Sequence, residues 1–277
     1  MSSRTKTHKA NKTPITTEDI TMPEPTVKDI YEYIDSIAPF AIQESYDNSG
    51  LNIGRWGASV SRVLVALDAS PSVVNDALSL GADLIVTHHP VIFDPVRQID
   101  LDSTVGRLAA GGISVISSHT CFDSAVMNRI LCEKLGLTLS DDLTIEGGVP
   151  MGCICSTEPV SADELANSTA KRLGCPAVRY NKASETVSRI AVCSGSGGSL
   201  LPVVIARGCD CFITGDVKHN IFIDAAAAGV TVMDAGHYHT EAIFCEYMNS
   251  TLSGQFPGLS VEIAPSEKAP FETAFGN

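Results

Sequence analysis

Histidines and carboxylates recur after three short runs of β-branched residues. Two adjacent histidines follow one run, and a histidine with an acid four positions later follows each of the others. Imidazole together with carboxylate suits borderline divalent ions such as zinc, manganese or iron. The candidate metal ligands are His88, His89, Asp123, His237 and Glu241.

A set of five ligands favours two ions over one. A carboxylate such as Glu241 can bridge two ions about 3.5–4 Å apart, the separation found in two-metal hydrolases. A lone histidine is more often a buried polar core residue, but two adjacent histidines after an apolar strand favour ligands. The chemistry predicted from these residues is therefore metal-assisted hydrolysis at a dinuclear site.

The elements that must position these ligands form a strand, helix, strand unit. Residues 63–67 and 84–87 are short apolar runs typical of buried strands, and residues 71–80 between them have a helical pattern that stops at Gly81. Such a unit implies a parallel sheet covered by helices. Open α/β sheets bind ligands at the carboxyl ends of their strands, which is where His88 and His89 fall.

The sequence of this unit is repeated later in the chain. Residues 62–87 match residues 189–214 without a gap, and the histidine-acid pattern recurs downstream of both. The alternative is that α/β units simply resemble one another. The repeat favours an α/β fold of two related lobes, with mainly parallel sheets flanked by helices and the dinuclear site between them. We expect lobe one to span about 23–123 plus C-terminal elements, and lobe two about 124–245.

Composition narrows the classes of function. The formal net charge of -13 and the lack of a basic cluster beyond the first residues argue against a general nucleic-acid surface. No apolar run approaches the roughly 20 residues of a membrane span.

Nine cysteines, an odd number without an apolar leader, predict reduced thiols in a cytoplasmic protein. Residues 1–22 are rich in Thr, Lys and Pro and predict a disordered segment, with a transit peptide as the alternative.

A glycine-rich stretch, residues 195–199, precedes the predicted second-lobe helix. Backbone amides at such a position can bind a phosphate. The stretch lacks the lysine of a phosphate-binding loop and the spacing of a dinucleotide site, so simple turn formation is favoured over phosphate contact.

With these motifs in view, the chain resembles the Nif-three-like family of dinuclear-metal proteins, which includes GTP cyclohydrolase I type 2 homologues. The likeness covers residues 23–277 as one Nif-three-like domain. It is carried by the motifs DNSGLNIG from Asp47, DLIVTHHPVIF from Asp83, SSHTCFD from Ser117, TGDVKHN from Thr214 and AGHYHTE from Ala235.

The resemblance implies roles for particular residues. The family's metal ligands carry over onto the five candidate ligands. His119 matches a further site histidine, for which the resemblance implies either a proton-transfer role or a role in orienting a ligand, and we take it as the catalytic residue. One departure is Asn220 after His219, where the family often has two adjacent histidines. This departure argues against a proton-transfer role at that position.

The resemblance also implies an assembly and an activity. It predicts a homohexamer, two divalent ions per subunit, and hydrolytic opening of a purine nucleotide ring such as that of GTP. Two alternatives stay open: a non-enzymatic metal-binding or adaptor protein, and a metal-dependent phosphoester hydrolase. The sequence does not choose the metal or the substrate.

Overall fold

The computed structural model describes residues 24–146 and 148–274. The prediction of disorder for residues 1–22 lies outside this range. Among the described residues, none of the helices is long and apolar enough to cross a bilayer.

The first sheet has five strands within the described residues, in the order β1-β4-β3-β2-β11. Strands β2, β3, β4 and β11 are parallel, and β1 is antiparallel to β4. The strands are β1 Gly50–Ile53, β2 Arg62–Ala66, β3 Leu84–Thr87, β4 Ser114–Ser117 and β11 Ser260–Ile263.

Helices cover both faces of the first sheet because its strands are apolar on both sides. Val63 and Val65 pack in one buried cluster with the helices at one face, whereas Leu64 and Ala66 pack in another cluster with the helices at the opposite face. This is the period of two expected of a strand. The first face carries α1 Val27–Ile37 and α10 Ile243–Gln255, and the second carries α2 Pro71–Leu80 and α3 Thr104–Gly111.

The second sheet has six described strands in the order β5-β6-β8-β9-β10-β7. Strands β8, β9 and β10 are parallel, whereas the β5–β6, β6–β8 and β7–β10 pairs are antiparallel. The strands are β5 Thr138–Glu146, β6 Val149–Ser161, β7 Arg179–Tyr180, β8 Thr186–Val192, β9 Cys211–Thr214 and β10 Thr231–Asp234.

This sheet too has helices on both faces. Leu131 and Leu165 belong to the buried cluster on one face, and Val204 and Ala225 to the cluster on the other. The first face carries α5 Asn128–Lys134 and α6 Ala162–Leu173, and the second carries α7 Leu201–Ala206 and α8 His219–Ala227. The predicted α/β class, with two sheets flanked by helices, is confirmed.

The repeated sequence forms the same hydrogen bonds in both sheets. The Asp83 carboxylate accepts from the backbone amide of Arg62 at 3.0 Å, and the Asp210 carboxylate accepts from that of Arg189 at 3.1 Å. The amides of both aspartates donate in turn to those arginine carbonyls at 3.0 Å. These matched contacts support two related lobes, and the lobe boundaries stay a prediction.

Two features of the segment between the repeats were not predicted. Strands β5 and β6 form a long antiparallel hairpin. In addition, the sulfur atoms of Cys132 on α5 and Cys155 on β6 lie in contact, and the prediction of reduced thiols stays a prediction. Both cysteines face the same buried cluster, a proximity that their sequence separation of 23 does not indicate.

Candidate metal centre

The ends of three strands place the predicted ligands together. His88 and His89 follow β3 directly, and their backbone amides donate to carbonyls of the β2 segment at 3.3 and 3.0 Å. Asp123 lies beyond β4, at the start of a π-helical turn, Asp123–Met127, that runs between the short helix α4, Thr120–Phe122, and α5. A π-turn within a helix often marks a functional site.

The remaining two ligands lie on one short helix after β10. His237 and Glu241 begin and end α9, His237–Glu241, and their Nε2 and Oε2 atoms are 2.9 Å apart. The spacing of four therefore brings both side chains to one face, as the sequence predicted. Since β3 and β4 belong to the first sheet and β10 to the second, both sheets contribute to the cluster.

Glu241 lies at the centre of the cluster. Its side chain is 4% exposed, and its Oε2 lies 3.2 Å from His89 Nε2. Its Oε1 lies 3.8 Å from His88 Nε2, which is 3.6 Å from Asp123 Oδ1. Two groups of potential ligand atoms, each within 4.8 Å, share this glutamate: His89 with His237 and Glu241, and His88 with Asp123 and Glu241.

The donor set fits metal ions. His88 Nε2 and Glu241 Oε2 are buried and have no hydrogen-bond partner among the described residues. Leaving a buried polar atom unsatisfied costs about 1–3 kcal/mol, and more if it is charged. A divalent cation among these nitrogen and oxygen atoms would remove that cost, so the cluster can bind metal.

The Nδ1 atom of each predicted ligand histidine already contacts a hydrogen-bonding partner. The Nδ1 of His89 contacts Asp68 at 2.9 Å, and that of His237 contacts Asp216 at 2.8 Å. The Nδ1 of His88 lies 2.9 Å from the backbone carbonyl of Ser118. Such partners fix the ring and leave Nε2 for a metal.

These aspartates were missed by the sequence reasoning. Asp68 follows β2 and Asp216 follows β9, so a search for acids just beyond every parallel strand would have found them. Asp216 is also the one described residue other than glycine with a positive φ, 51°. A non-glycine residue held in that conformation often lies at a functional site.

His119 lies beside the cluster, and its own carboxylate partner lies outside the cluster. Its ring centroid lies 5.2 Å from that of His88 and 5.3 Å from that of His89. Its Nδ1 lies 2.9 Å from Oδ1 of Asp47, whose side chain is fully buried. Burial opposes ionisation of Asp47, but hydrogen bonds from His119 and Thr120 outweigh it and hold the pKa of that carboxyl well below its usual value.

The carboxylates stabilise positive charge in the cluster. Burial alone would lower the pKa of His89, but Asp68 and Glu241 raise it to about 10. The Glu241 carboxylate, whose Oε2 lies 2.9 Å from Nε2 of His237, is the main cause that raises the pKa of His237 to about 9. The cluster thus favours protons or metal cations at the same nitrogen atoms.

A cavity of about 230 Å³ opens beside the cluster. Asp123, His237 and Glu241 line it, together with His119 and Tyr46. A substrate atom in this cavity would be within reach of the predicted ligands and of His119.

The glycine-rich stretch, residues 195–199, adjoins the cluster. Two of its backbone amides already donate to side chains and are therefore not free to bind a phosphate. The amide of Gly195 donates to Oγ1 of Thr240 at 3.0 Å, and that of Gly197 to Oγ1 of Thr214 at 2.9 Å. A Cβ at Gly197 would lie 2.6 Å from that same Thr214 oxygen. The stretch is therefore a packed turn, in agreement with the favoured sequence interpretation.

Two helix-flanked sheets that share a buried cluster of histidines and carboxylates define an α/β protein with a site able to hold metal. The model of the Duf34/NIF3 (NGG1p interacting factor 3) family matches residues 25–270, and the chain belongs to that family. The resemblance drawn from the motifs is confirmed.

Relatives that are named for an activity are similar to this chain over most of their length. A Helicobacter pylori protein named GTP cyclohydrolase 1 type 2 is 32% identical over 222 residues, 79% of this chain and 88% of the relative. A Clostridium perfringens GTP cyclohydrolase 1 type 2 homolog is 31% identical over 226 residues, 78% of this chain and 86% of the relative. A solved structure of a Staphylococcus aureus hypothetical protein has a TM-score of 0.83 at 25% identity, covering 91% of this chain and all of that one.

Proposed function

We propose that this protein is a dinuclear metal-dependent hydrolase that opens the imidazole ring of a purine nucleotide. The observation that carries the proposal is Glu241, a buried carboxylate shared by two groups of potential ligands. The names of the relatives supply the substrate class, since GTP is a purine nucleotide.

The two groups suggest how the ligands divide. His88 and Asp123 would hold one ion, His89 and His237 the other, and Glu241 would bridge them. Zinc, manganese and iron all suit this donor set. Bound divalent ions supply Lewis acidity that lowers the pKa of water and polarises the bond to be hydrolysed.

His119 would move the proton. Asp47 holds its Nδ1, so Nε2 is the ring nitrogen left to face the cavity. In the proposed reaction water adds to the ring carbon between two nitrogens, and His119 Nε2 takes one of its protons. His119 then delivers that proton to the departing nitrogen as the carbon–nitrogen bond breaks.

Two further expectations belong to this proposal. The resemblance implies a homohexamer, which light scattering on the purified protein would test. The cytoplasmic location predicted from the cysteines stays a prediction.

A substrate screen tests the proposed activity. The metal-loaded protein would be incubated with GTP, other nucleotides and a chromogenic phosphodiester, followed by chromatography and mass spectrometry of the products. Loss of the purine chromophore from GTP, with His119→Ala inactive but still metal-loaded, is the expected result. Turnover of the phosphodiester alone would replace this proposal with phosphoester hydrolysis, and no turnover by a fully loaded protein would favour a metal-binding function.

A further inference from the structure

Two aromatic side chains stand exposed beside the cavity. Tyr46 is 62% exposed and Phe93 is 47% exposed, although both are large rings that would gain free energy from burial. Their centroids lie 6.4 Å apart, with an angle of 40° between the ring planes. Isolated apolar side chains are common on protein surfaces, so their exposure alone indicates little.

Their position relative to the site is what distinguishes this pair. Tyr46 lines the cavity that also contains the predicted ligands Asp123 and Glu241. The ring of Phe93 lies 6.2 Å from that of His119, centroid to centroid. Tyr46 therefore lines the same cavity as His119, and Phe93 lies next to the ring of His119.

The backbone holds the two rings in place. The side-chain amide of Asn48 donates to the carbonyl of Ile92 at 2.6 Å, which ties the segment after Tyr46 to the segment before Phe93. Asp47, which adjoins Tyr46, is the buried partner of His119. The backbone segments that carry the two rings are thus linked to each other and to Asp47, which orients the histidine.

We infer that Tyr46 and Phe93 bind the planar heteroaromatic ring of the substrate beside His119. This inference rests on the proposed function and adds to it the residues that recognise the base. A planar ring between two others contacts each at about 3.5–4.0 Å, so the base would enter as the two centroids move from 6.4 Å to about 7–8 Å and the 40° angle between the planes closes.

The size of the cavity agrees with this assignment. Pockets that enclose a whole drug-sized ligand have volumes of about 300–1,000 Å³. The cavity beside the cluster has about 230 Å³, so part of a nucleotide must extend past its wall. Tyr46 belongs to that wall and supplies a face on which the base can stack.

Calorimetric titration of the metal-loaded protein tests the inference through binding and not through turnover. The probes are guanosine 5′-monophosphate and ribose 5-phosphate, which differ by the base. The variants are Tyr46→Ala, Phe93→Ala and Phe93→Tyr, and the matched control is Trp56→Ala. Trp56 is 49% exposed and packs edge-on against Tyr31 outside the cavity.

Base stacking on one aromatic side chain contributes on the order of a tenfold change in affinity. We expect Tyr46→Ala and Phe93→Ala each to weaken the nucleotide by about that factor and to leave ribose 5-phosphate and the metal content unchanged. Phe93→Tyr should restore nucleotide binding, and Trp56→Ala should resemble the wild type. Equal weakening of both probes, unchanged nucleotide affinity in both alanine variants, or no nucleotide binding by the wild type would overturn the inference.

The outcome separates this inference from the proposed activity. Nucleotide binding that depends on Phe93, without ring opening, would retain the aromatic site and contradict the hydrolase. Ring opening by the wild type, with an unchanged Michaelis constant in Phe93→Ala and Tyr46→Ala, would retain the hydrolase and contradict the aromatic site.

Discussion

At the scale of single residues, the site depends on the group that contacts the Nδ1 atom of each histidine. His89 and His237 each have an aspartate at Nδ1, and the three aspartates that serve the cluster and His119 come from different segments of the chain. An aspartate at Nδ1 fixes the tautomer and makes Nε2 a stronger ligand. Metal affinity should therefore depend on residues that never contact a metal.

Asp68→Asn tests this dependence. We expect it to lower metal affinity about 10–100-fold, because His89 loses the carboxylate that orients it. Competition with a chromogenic chelator measures the affinity. Asp224→Asn, at an exposed position on α8, is the matched control and should bind like the wild type. Equal affinities for all three proteins would contradict the role of Asp68.

Asp47 should influence stability in a pH-dependent way. Its pKa is held below the usual value of about 3.9 in the folded state, so the ionised carboxylate stabilises the fold above that pH. This contribution is lost as the pH falls from about 4 toward the lower folded-state pKa.

Asp47→Asn should accordingly reduce the free energy of unfolding at pH 7 by about 1–3 kcal/mol, because hydrogen bonds to a charged group are lost. Urea denaturation of the metal-free proteins at pH 7 and at several values below 4 measures this difference. The gap between variant and wild type should narrow as the pH falls. A gap that is constant at every pH would mean that the charge of Asp47 contributes nothing.

At the scale of elements, close packing of the glycine-rich turn against α9 fixes Glu241. Gly195 has φ of 60°, and a Cβ built on it would lie 2.2 Å from Oε1 of Glu241. The turn therefore needs glycine both for its backbone conformation and for the approach of the carboxylate.

Gly195→Ala should weaken metal binding as well as folding, because the added methyl group displaces Glu241. Gly208→Ala is a matched control, since Gly208 has φ of 65° and nothing within 4 Å of a built Cβ. Both variants should lose roughly 1 kcal/mol of stability from backbone strain. Only Gly195→Ala should lose metal affinity, as measured by metal titration, and equal losses in the two would contradict the packing argument.

The sequence allowed the parallel strands and their ligands to be predicted because both follow local patterns. Apolar runs indicated β3 and β10, and the carboxyl-end rule placed His88 and His237 near the same site. The β5–β6 hairpin escaped prediction because β5, TLSDDLTIE, is too polar to resemble a buried strand. The pairing of Asp47 with His119 joins residues 72 positions apart, and no local pattern encodes that contact.

At the scale of the whole molecule, the cluster joins two separately packed sheets. His88, His89 and Asp123 follow strands of the first sheet, whereas His237 and Glu241 follow a strand of the second. An ion bound by ligands from both sheets would stabilise the folded chain, because the unfolded chain does not bring these ligands together.

Removal of metal should therefore lower the melting temperature. Ligand present at about 100 times its dissociation constant contributes about 2.7 kcal/mol to the stability of the folded state. Calorimetry before and after dialysis against a chelator should show this loss for the wild type. Glu241→Ala should have the same melting temperature before and after dialysis. A wild-type melting temperature that the chelator leaves unchanged would show that the cluster does not join the sheets through metal.

The most direct test of the central claim is the metal stoichiometry of the wild type compared with that of Glu241→Gln. Inductively coupled plasma mass spectrometry after reconstitution gives the number of ions per chain, and chelator competition gives their affinities. A bridging carboxylate predicts about two divalent ions per wild-type chain and a weakening of both in the variant, since Gln keeps the shape but removes the charge. A wild-type content near zero, or a variant that loses one ion and holds the other at unchanged affinity, would contradict a dinuclear site bridged by Glu241.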